Sequence, residues 1–189
     1  RRIATTEGLD GDNVIAAISR SKVQVLAQQP LTLQMILKEL RNSNSISSTR
    51  YELFDRCIDT LCTESAERRE RGTSQSESPA NLREAAERLA LFSISSGHDV
   101  FDLNDEPTQD ENALHWRDLT GLPASSGRPL DTNVLDALKC TKLFVSAGER
   151  RFQFIHRQYA EFLAGRRIAT LPLHQARALL ASDAGWRGG

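Results

Sequence analysis

A change of hydrophobic period between residues 142 and 168 constrains the fold of this chain more than any other feature. Before the change, apolar residues alternate on both sides of the short gap Ala147-Gly148-Glu149, at Leu143, Val145, Phe152 and Phe154. This pattern predicts a β-hairpin. After it, residues recur at the three- and four-residue spacings of one helix side, at Ile155, Tyr159, Phe162, Leu163 and Arg166. We therefore predict a hairpin that leads directly into an amphipathic helix, with His156 at the junction.

Apolar periodicity also predicts three helices in the first part of the chain, over residues 12–28, 31–40 and 49–71. Asp12 or Asn13 can cap the first helix. That helix ends before Pro30, because a proline pushes the preceding residue out of the α region, and Pro30 itself suits the first turn of the second helix. Thr49 and Glu52 form a capping-box pattern at the start of the third helix. The charged end of that helix, ESAERRERG, is interpreted as solvated.

The serine-rich segment 72–78 predicts a linker, and the elements after it follow the order of a winged helix. They are a helix over 79–96, a strand over 99–102, a weak helix over 112–120, a helix over 131–139 and the hairpin. We therefore predict a mainly α protein in three parts. A small helical domain spans 1–72, a winged-helix domain with a small β-hairpin spans 79–170, and a further helical region begins at 171–189 with a short helix over 173–182.

Composition excludes several classes of function. The 24 Lys and Arg nearly balance the 25 Asp and Glu, so net charge favours neither a nucleic acid nor an anionic membrane as partner. No apolar run approaches the roughly 18 residues of a membrane span. The three cysteines lack zinc-site spacing. We expect Cys57 and Cys62 to be small buried apolar residues in a protein of the reducing cytoplasm.

Two segments of the chain resemble one protein family. The string FIHRQYAEFLA, from Phe154 to Ala164, resembles the F-x-H-x-x-x-x-E-F-L-A signature that closes the winged-helix part of NACHT-type STAND NTPases. The string LAQQPLTLQMIL looks like the family segment in which a proline, here Pro30, packs against adenine. The family has a glycine two residues before that proline, whereas this chain has Gln28. The resemblance extends over residues 13–168.

The resemblance implies a cofactor, partners and site residues. The cofactor would be ADP or ATP with Mg²⁺, which Pro30 would contact at the adenine ring and His156 at the phosphates in a closed resting state. The partners would be a P-loop NTPase domain and sensor repeats of the same chain, with self-association once ATP replaces ADP. Because the sequence starts without methionine, we expect a piece of a longer protein. The family's roles include bacterial antiviral defence, signalling and transcriptional regulation, and no residue here distinguishes among them.

Several common sequence motifs of enzymes are absent from the chain. No glycine is followed by lysine, so the phosphate-binding motif G-x-x-x-x-G-K-[ST] is absent. The motifs G-x-S-x-G and H-E-x-x-H and a spaced Cys/His set are absent as well. We expect no catalysis from this chain, and ATP hydrolysis only from the longer protein.

Two other interpretations stay open. The first is DNA binding by the winged helix, through the helix over 131–139. That helix offers Asp131 and Asp136 against Lys139, and phosphates repel carboxylates, so nucleic-acid binding is disfavoured. The second is a protein–protein adaptor that binds no nucleotide. Dependence on nucleotide would separate the adaptor from the nucleotide clamp.

Overall fold

The computed structural model describes residues 8–21, 23–28, 30–43, 46, 49–70, 77–106, 110–119, 130 and 132–181. The chain divides into two compact units, Arg1–Cys57 and Ile58–Gly189. The described part is mostly helical with a small mixed four-stranded sheet, in agreement with the predicted mainly α class. The described residues leave out most of the predicted linker over 72–78. They also leave out residue 131, the start of one predicted helix, and residue 182, the end of another. The three domain ranges therefore stay predictions.

The first unit contains helices only among its described residues. They are α1 (Gly11–Arg20), α2 (Gln24–Ala27), α3 (Pro30–Ser43) and the first residues of α4 (Arg50–Glu70). Pro30 is the first residue of α3, as predicted. The Thr49 cap of α4 is also confirmed, because the Thr49 hydroxyl accepts a hydrogen bond of 3.2 Å from the Glu52 N–H.

The single helix predicted over 12–28 is wrong, because the chain turns between α1 and α2. Val23 is buried, and its N–H reaches back to the Ile18 carbonyl at 3.3 Å. Val25, which the periodicity placed on the apolar side, is 64% exposed. The cap was misplaced as well. Asp10, and neither Asp12 nor Asn13, precedes the helix, and its carboxylate accepts from the Asp12 N–H at 3.1 Å.

The second unit combines helices with the sheet. In chain order its elements after α4 are α5 (Pro79–Ser96), β1 (Val100–Asp102), β2 (Ala113–His115), α6 (Trp116–Leu119), α7 (Thr132–Lys139), β3 (Phe144–Gly148), β4 (Arg151–Phe154), α8 (Arg157–Thr170) and α9 (Leu173–Ala181). The strands lie in the order β2-β1-β4-β3. Strand β1 pairs in parallel with β2 and antiparallel with β4, and β4 pairs antiparallel with β3.

Strand β2 corrects the prediction of a helix over 112–120. Only Trp116–Leu119 is helical among the described residues of that range, and Ala113–His115 pairs with β1 in the register Phe101 to Leu114. Three residues are too few to show the alternation of a strand. This strand depends on pairing with β1, which sequence periodicity does not report.

The predicted hairpin is present, but its turn lies two residues later than predicted. Ala147 and Gly148 belong to β3, and Glu149 and Arg150 form the turn. The register shifts between Ser146 and Gly148, so β3 holds a bulge. Gly148 (φ 134°) and Arg150 (φ 52°) have positive φ, which glycine tolerates and arginine rarely adopts.

Two groups of apolar side chains stand out in the core of the second unit. The first is an aromatic cluster on the sheet, with ring centroids 4.4 to 6.4 Å apart, formed by Phe101, Phe144, Phe152 and Phe154. The second lies where α8 packs against α5. Both helices bury small residues, namely Ala85, Ala86 and Ala90 on α5 and Ala160 and Ala164 on α8.

The buried side of α8 differs from the predicted one. Tyr159 and Leu163 are buried as expected, but Phe162 and Arg166 are half-buried. The buried face of the helix turns toward Ala160, Ala164 and Arg167 instead. Large apolar residues marked the helix in the sequence, whereas its buried residues also include two alanines and an arginine.

Candidate functional site

His156 occupies the junction between the sheet and α8. It is the N-cap residue of α8, in extended backbone conformation (φ −147°, ψ 134°). Its carbonyl accepts the Tyr159 N–H at 3.0 Å, but its imidazole makes no capping hydrogen bond. The half-buried ring lies 6.1 Å from the Tyr159 ring, measured between centroids. The imidazole therefore does not accept a hydrogen bond from the backbone N–H groups at the start of its own helix.

The sheet fixes where His156 leaves the hairpin. Phe154 at the end of β4 pairs with Phe144 on β3, and both are buried. The next N–H, that of Ile155, donates to the Leu143 carbonyl at 3.0 Å. Because the two residues before His156 are held in this way, the start of α8 has a defined position relative to the sheet.

The electrostatics of this helix start favour an anion. The N-terminus of α8 carries the positive end of the helix dipole, and its first turn contains no acidic residue. Arg157 adds a positive charge there, although its Nε donates to the Glu161 carboxylate at 3.0 Å, one turn along α8. Unpaired N–H groups at a helix start are a common binding site for phosphate in proteins.

Pro30, the second predicted site residue, is exposed at the start of α3. Thr32, two residues later, is buried. The exposed proline ring presents an apolar surface that an aromatic base could stack on. Pro30 lies in the first unit and His156 in the second.

A buried polar network at the end of β1 was not predicted from the sequence. The Asp102 carboxylate accepts hydrogen bonds from the N–H (2.9 Å) and side-chain amide (2.7 Å) of Asn104, and it lies 3.4 Å from Arg151 Nε. The Asn104 carbonyl accepts from His115 Nε2 (2.7 Å) and Trp116 Nε1 (3.1 Å). An Asp-x-Asn sequence is the only local signal for this network, which serves to fix the loop after β1.

The hydrogen bonds of His115 assign it a structural role. Its Nε2 donates to a carbonyl, and its Nδ1 accepts the Arg117 N–H at 3.3 Å. Both ring nitrogens of the neutral imidazole are thus satisfied. In contrast to His156, His115 has no ring nitrogen to offer to a ligand.

The structure provides no metal-binding cluster among the residues that it describes, since no group of three or more His, Cys, Asp and Glu side chains converges there. Cys57 and Cys62 are buried, which confirms the prediction for both, and Cys140 is exposed. Burial, reinforced by the charge of Glu39, raises the pKa of the Cys57 thiol to about 12. Burial likewise raises the pKa of Cys62 to about 12.

Helix α7 is the element that a DNA-binding winged helix would place in the major groove. Asn133 and Asp136 are its exposed residues, and Lys139 is half-buried. Asp131 lies outside the described residues. A carboxylate on the exposed side of α7 would be repelled by phosphates. Within the described part of the chain, no helix is both long enough and apolar enough to cross a membrane.

Comparison with known proteins gives no relative on which to base a function. No protein-family model, no curated protein and no solved structure matches the chain.

Proposed function

We propose that this chain is the helical and winged-helix region of a NACHT-like STAND NTPase, in which it clamps a bound nucleotide in the closed state. The observation that carries the proposal is the position of His156. Its imidazole stands at the start of a 14-residue helix without capping that helix, where the dipole favours an anion. The F-x-H and E-F-L-A strings on either side of it are those of the family signature.

The arrangement of the sheet supports the winged-helix part of the proposal. Strands β1, β4 and β3 are adjacent in that order, so the first strand pairs with the second strand of the hairpin, and α7 precedes the hairpin. Strand β2 is an addition to the helix–strand order predicted from the sequence. It lies at the sheet edge, where β1 separates it from the hairpin.

In the proposed resting state, ADP is bound mainly by a P-loop domain of the same, longer cytoplasmic protein. Pro30 contacts the adenine ring and His156 the phosphates, while Mg²⁺ and any ATP hydrolysis belong to the P-loop domain. A stimulus received by the sensor repeats opens this clamp, ATP replaces ADP, and the protein self-associates. Each nucleotide biases this two-state equilibrium only by binding one state more tightly than the other.

Calorimetry on the complete protein with ADP and ATP tests the clamp. The His156→Ala variant should lose about 1.5–3 kcal/mol of ADP binding, the size of a hydrogen bond to a charged group, or roughly 10- to 150-fold in Kd. The matched control is His174→Ala, which removes an exposed histidine on α9 and should leave Kd unchanged. Unchanged ADP affinity in a folded His156→Ala protein would refute the clamp.

An adaptor that binds another protein is the second candidate. Large apolar residues are exposed on several helices among the described residues, namely Ile15, Val25, Tyr51 and Leu173. The same calorimetry separates the two candidates. If the wild-type protein binds neither ADP nor ATP, the adaptor becomes the better explanation.

A further inference from the structure

Four charged residues form a chain of alternating sign across three helices of the second unit. Asp59 on α4 accepts a hydrogen bond from Arg83 on α5. One turn later on α5, Oε1 of Glu87 lies 3.7 Å from Arg83 Nε. The same oxygen accepts the Nε–H of Arg166 on α8 at 3.1 Å. The chain Asp59–Arg83–Glu87–Arg166 therefore connects α4, α5 and α8.

The middle of this ionic chain is shielded from water. The side chains of Arg83 and Glu87 are 15% and 12% exposed, and that of Arg166 is 28% exposed, whereas Asp59 at the end of the chain is 56% exposed. Burial raises the pKa of Glu87, and it outweighs Arg166, Arg83 and Arg167, which lower that pKa. The carboxylate is thus held where burial disfavours its charge.

A buried ionic chain of this kind is a poor source of stability, since its desolvation cost can exceed the attraction between the charges. Its geometry has a different property. Arg83 contacts Asp59 through Nη1 and approaches Glu87 through Nε, and one oxygen of Glu87 lies between Arg83 and Arg166. Arg83 and Glu87 therefore provide a path by which a change at Asp59 can reach Arg166.

We propose that the ionic chain Asp59–Arg83–Glu87–Arg166 couples the stability of α8 to the part of α4 that begins at Ile58. With Asp59 in place, Arg83 is drawn toward α4 and Glu87 is left to hold Arg166. When the contact between Asp59 and Arg83 is lost, Arg83 binds Glu87 more closely and displaces Arg166. Helix α8 is then held less firmly. Loosening α8 would also weaken the contact of His156, its N-cap, with nucleotide. That consequence rests on the proposed function, whereas the coupling between α4 and α8 does not.

Amide hydrogen exchange of the 189-residue chain, measured by mass spectrometry, tests the coupling without any nucleotide. The Asp59→Asn variant removes the charge that holds Arg83. It should speed exchange in α8 around Arg166 by up to about fivefold, the upper end of the range for a partly exposed ion pair. Exchange in α7 is the internal reference for a change in global stability. The matched control is Asp105→Asn, which removes the same charge from the exposed pair with Arg150 (3.3 Å) and should leave α8 unchanged.

The double variant distinguishes coupling from two separate losses. In the Glu87→Gln background the connection to α8 is already broken, so Asp59→Asn should add no further increase in exchange of α8. If Glu87→Gln does not fold, Arg166→Gln breaks the same link and replaces it. Faster exchange confined to α4 and α5, or effects that multiply in the double variant, would overturn the proposal. A failure here leaves the calorimetric test of His156 unaffected, because no nucleotide is present.

Discussion

The three cysteines differ in what burial does to their thiols. At neutral pH the pKa of about 12 for Cys57 and for Cys62 leaves almost no reactive thiolate, while Cys140 is exposed at the end of α7. A maleimide reagent should label a single thiol per native chain and all three thiols in denaturant. Cys140→Ser should abolish labelling of the native protein. Rapid labelling of two or more native thiols would contradict the burial of Cys57 and Cys62.

At the scale of single residues, the sequence identified some residues with a distinct position or role and missed others. His156 was correctly placed at the start of a helix, because the change of period and the flanking motif are both local. Its role toward a nucleotide stays a prediction, as does that of Pro30. Asp102, Asn104 and His115 could not be found, because their hydrogen bonds join β1 to β2, and the sequence gives no sign that these segments are adjacent.

At the scale of elements, the hairpin and α8 differ in how they bury their phenylalanines. Phe152 on β4 is fully buried, with the rings of Phe101 and Phe144 at 5.2 and 5.1 Å. Phe162 on α8 is half-buried, so the cost of 3–5 kcal/mol expected for a fully buried phenylalanine does not apply to it. Phe152→Ala should reduce the free energy of unfolding by about 3–5 kcal/mol, and Phe162→Ala by about 1–2 kcal/mol. Denaturant titration measures both, and equal costs would contradict this difference in burial.

Elements with local start and stop signals were predicted well, and elements that depend on a single tertiary contact were not. Helix α5 runs from Pro79 to Ser96 as predicted, because its cap Ser78 and its terminal Gly97 (φ 76°) are local signals. The three-residue strand β2 and the turn between α1 and α2 were missed. In both, one tertiary contact, the pairing with β1 or the burial of Val23, outweighs the local pattern.

At the scale of the whole molecule, Glu87 gives stability a specific dependence on pH. Its pKa in the folded protein lies above the ordinary value of 4.5, because burial outweighs the neighbouring arginines. The folded state therefore binds this proton more readily than the unfolded chain. The contribution of Glu87 to stability is complete below about pH 4.5 and is lost as pH rises through the folded pKa.

Comparison of the wild type with Glu87→Gln isolates this contribution, because glutamine does not titrate. The difference in free energy of unfolding should shift in favour of the wild type as pH falls from about 7 to about 4, measured by urea titration at each pH. Glu161→Gln, which removes a carboxylate from an exposed pair, provides the baseline for loss of a surface acid. A difference that is constant with pH, or that shifts the other way, would contradict the burial of Glu87.

Helix α4 also bears on how a protein of this kind can evolve. The boundary between the two compact units falls between Cys57 and Ile58, inside this unbroken helix. Modules joined by a loose linker can be exchanged by recombination, since a crossover in the linker damages neither. Here a crossover at the boundary would replace half of a helix whose Leu53, Ile58 and Leu61 are buried. Recombination at this boundary should therefore be less well tolerated than recombination within a linker.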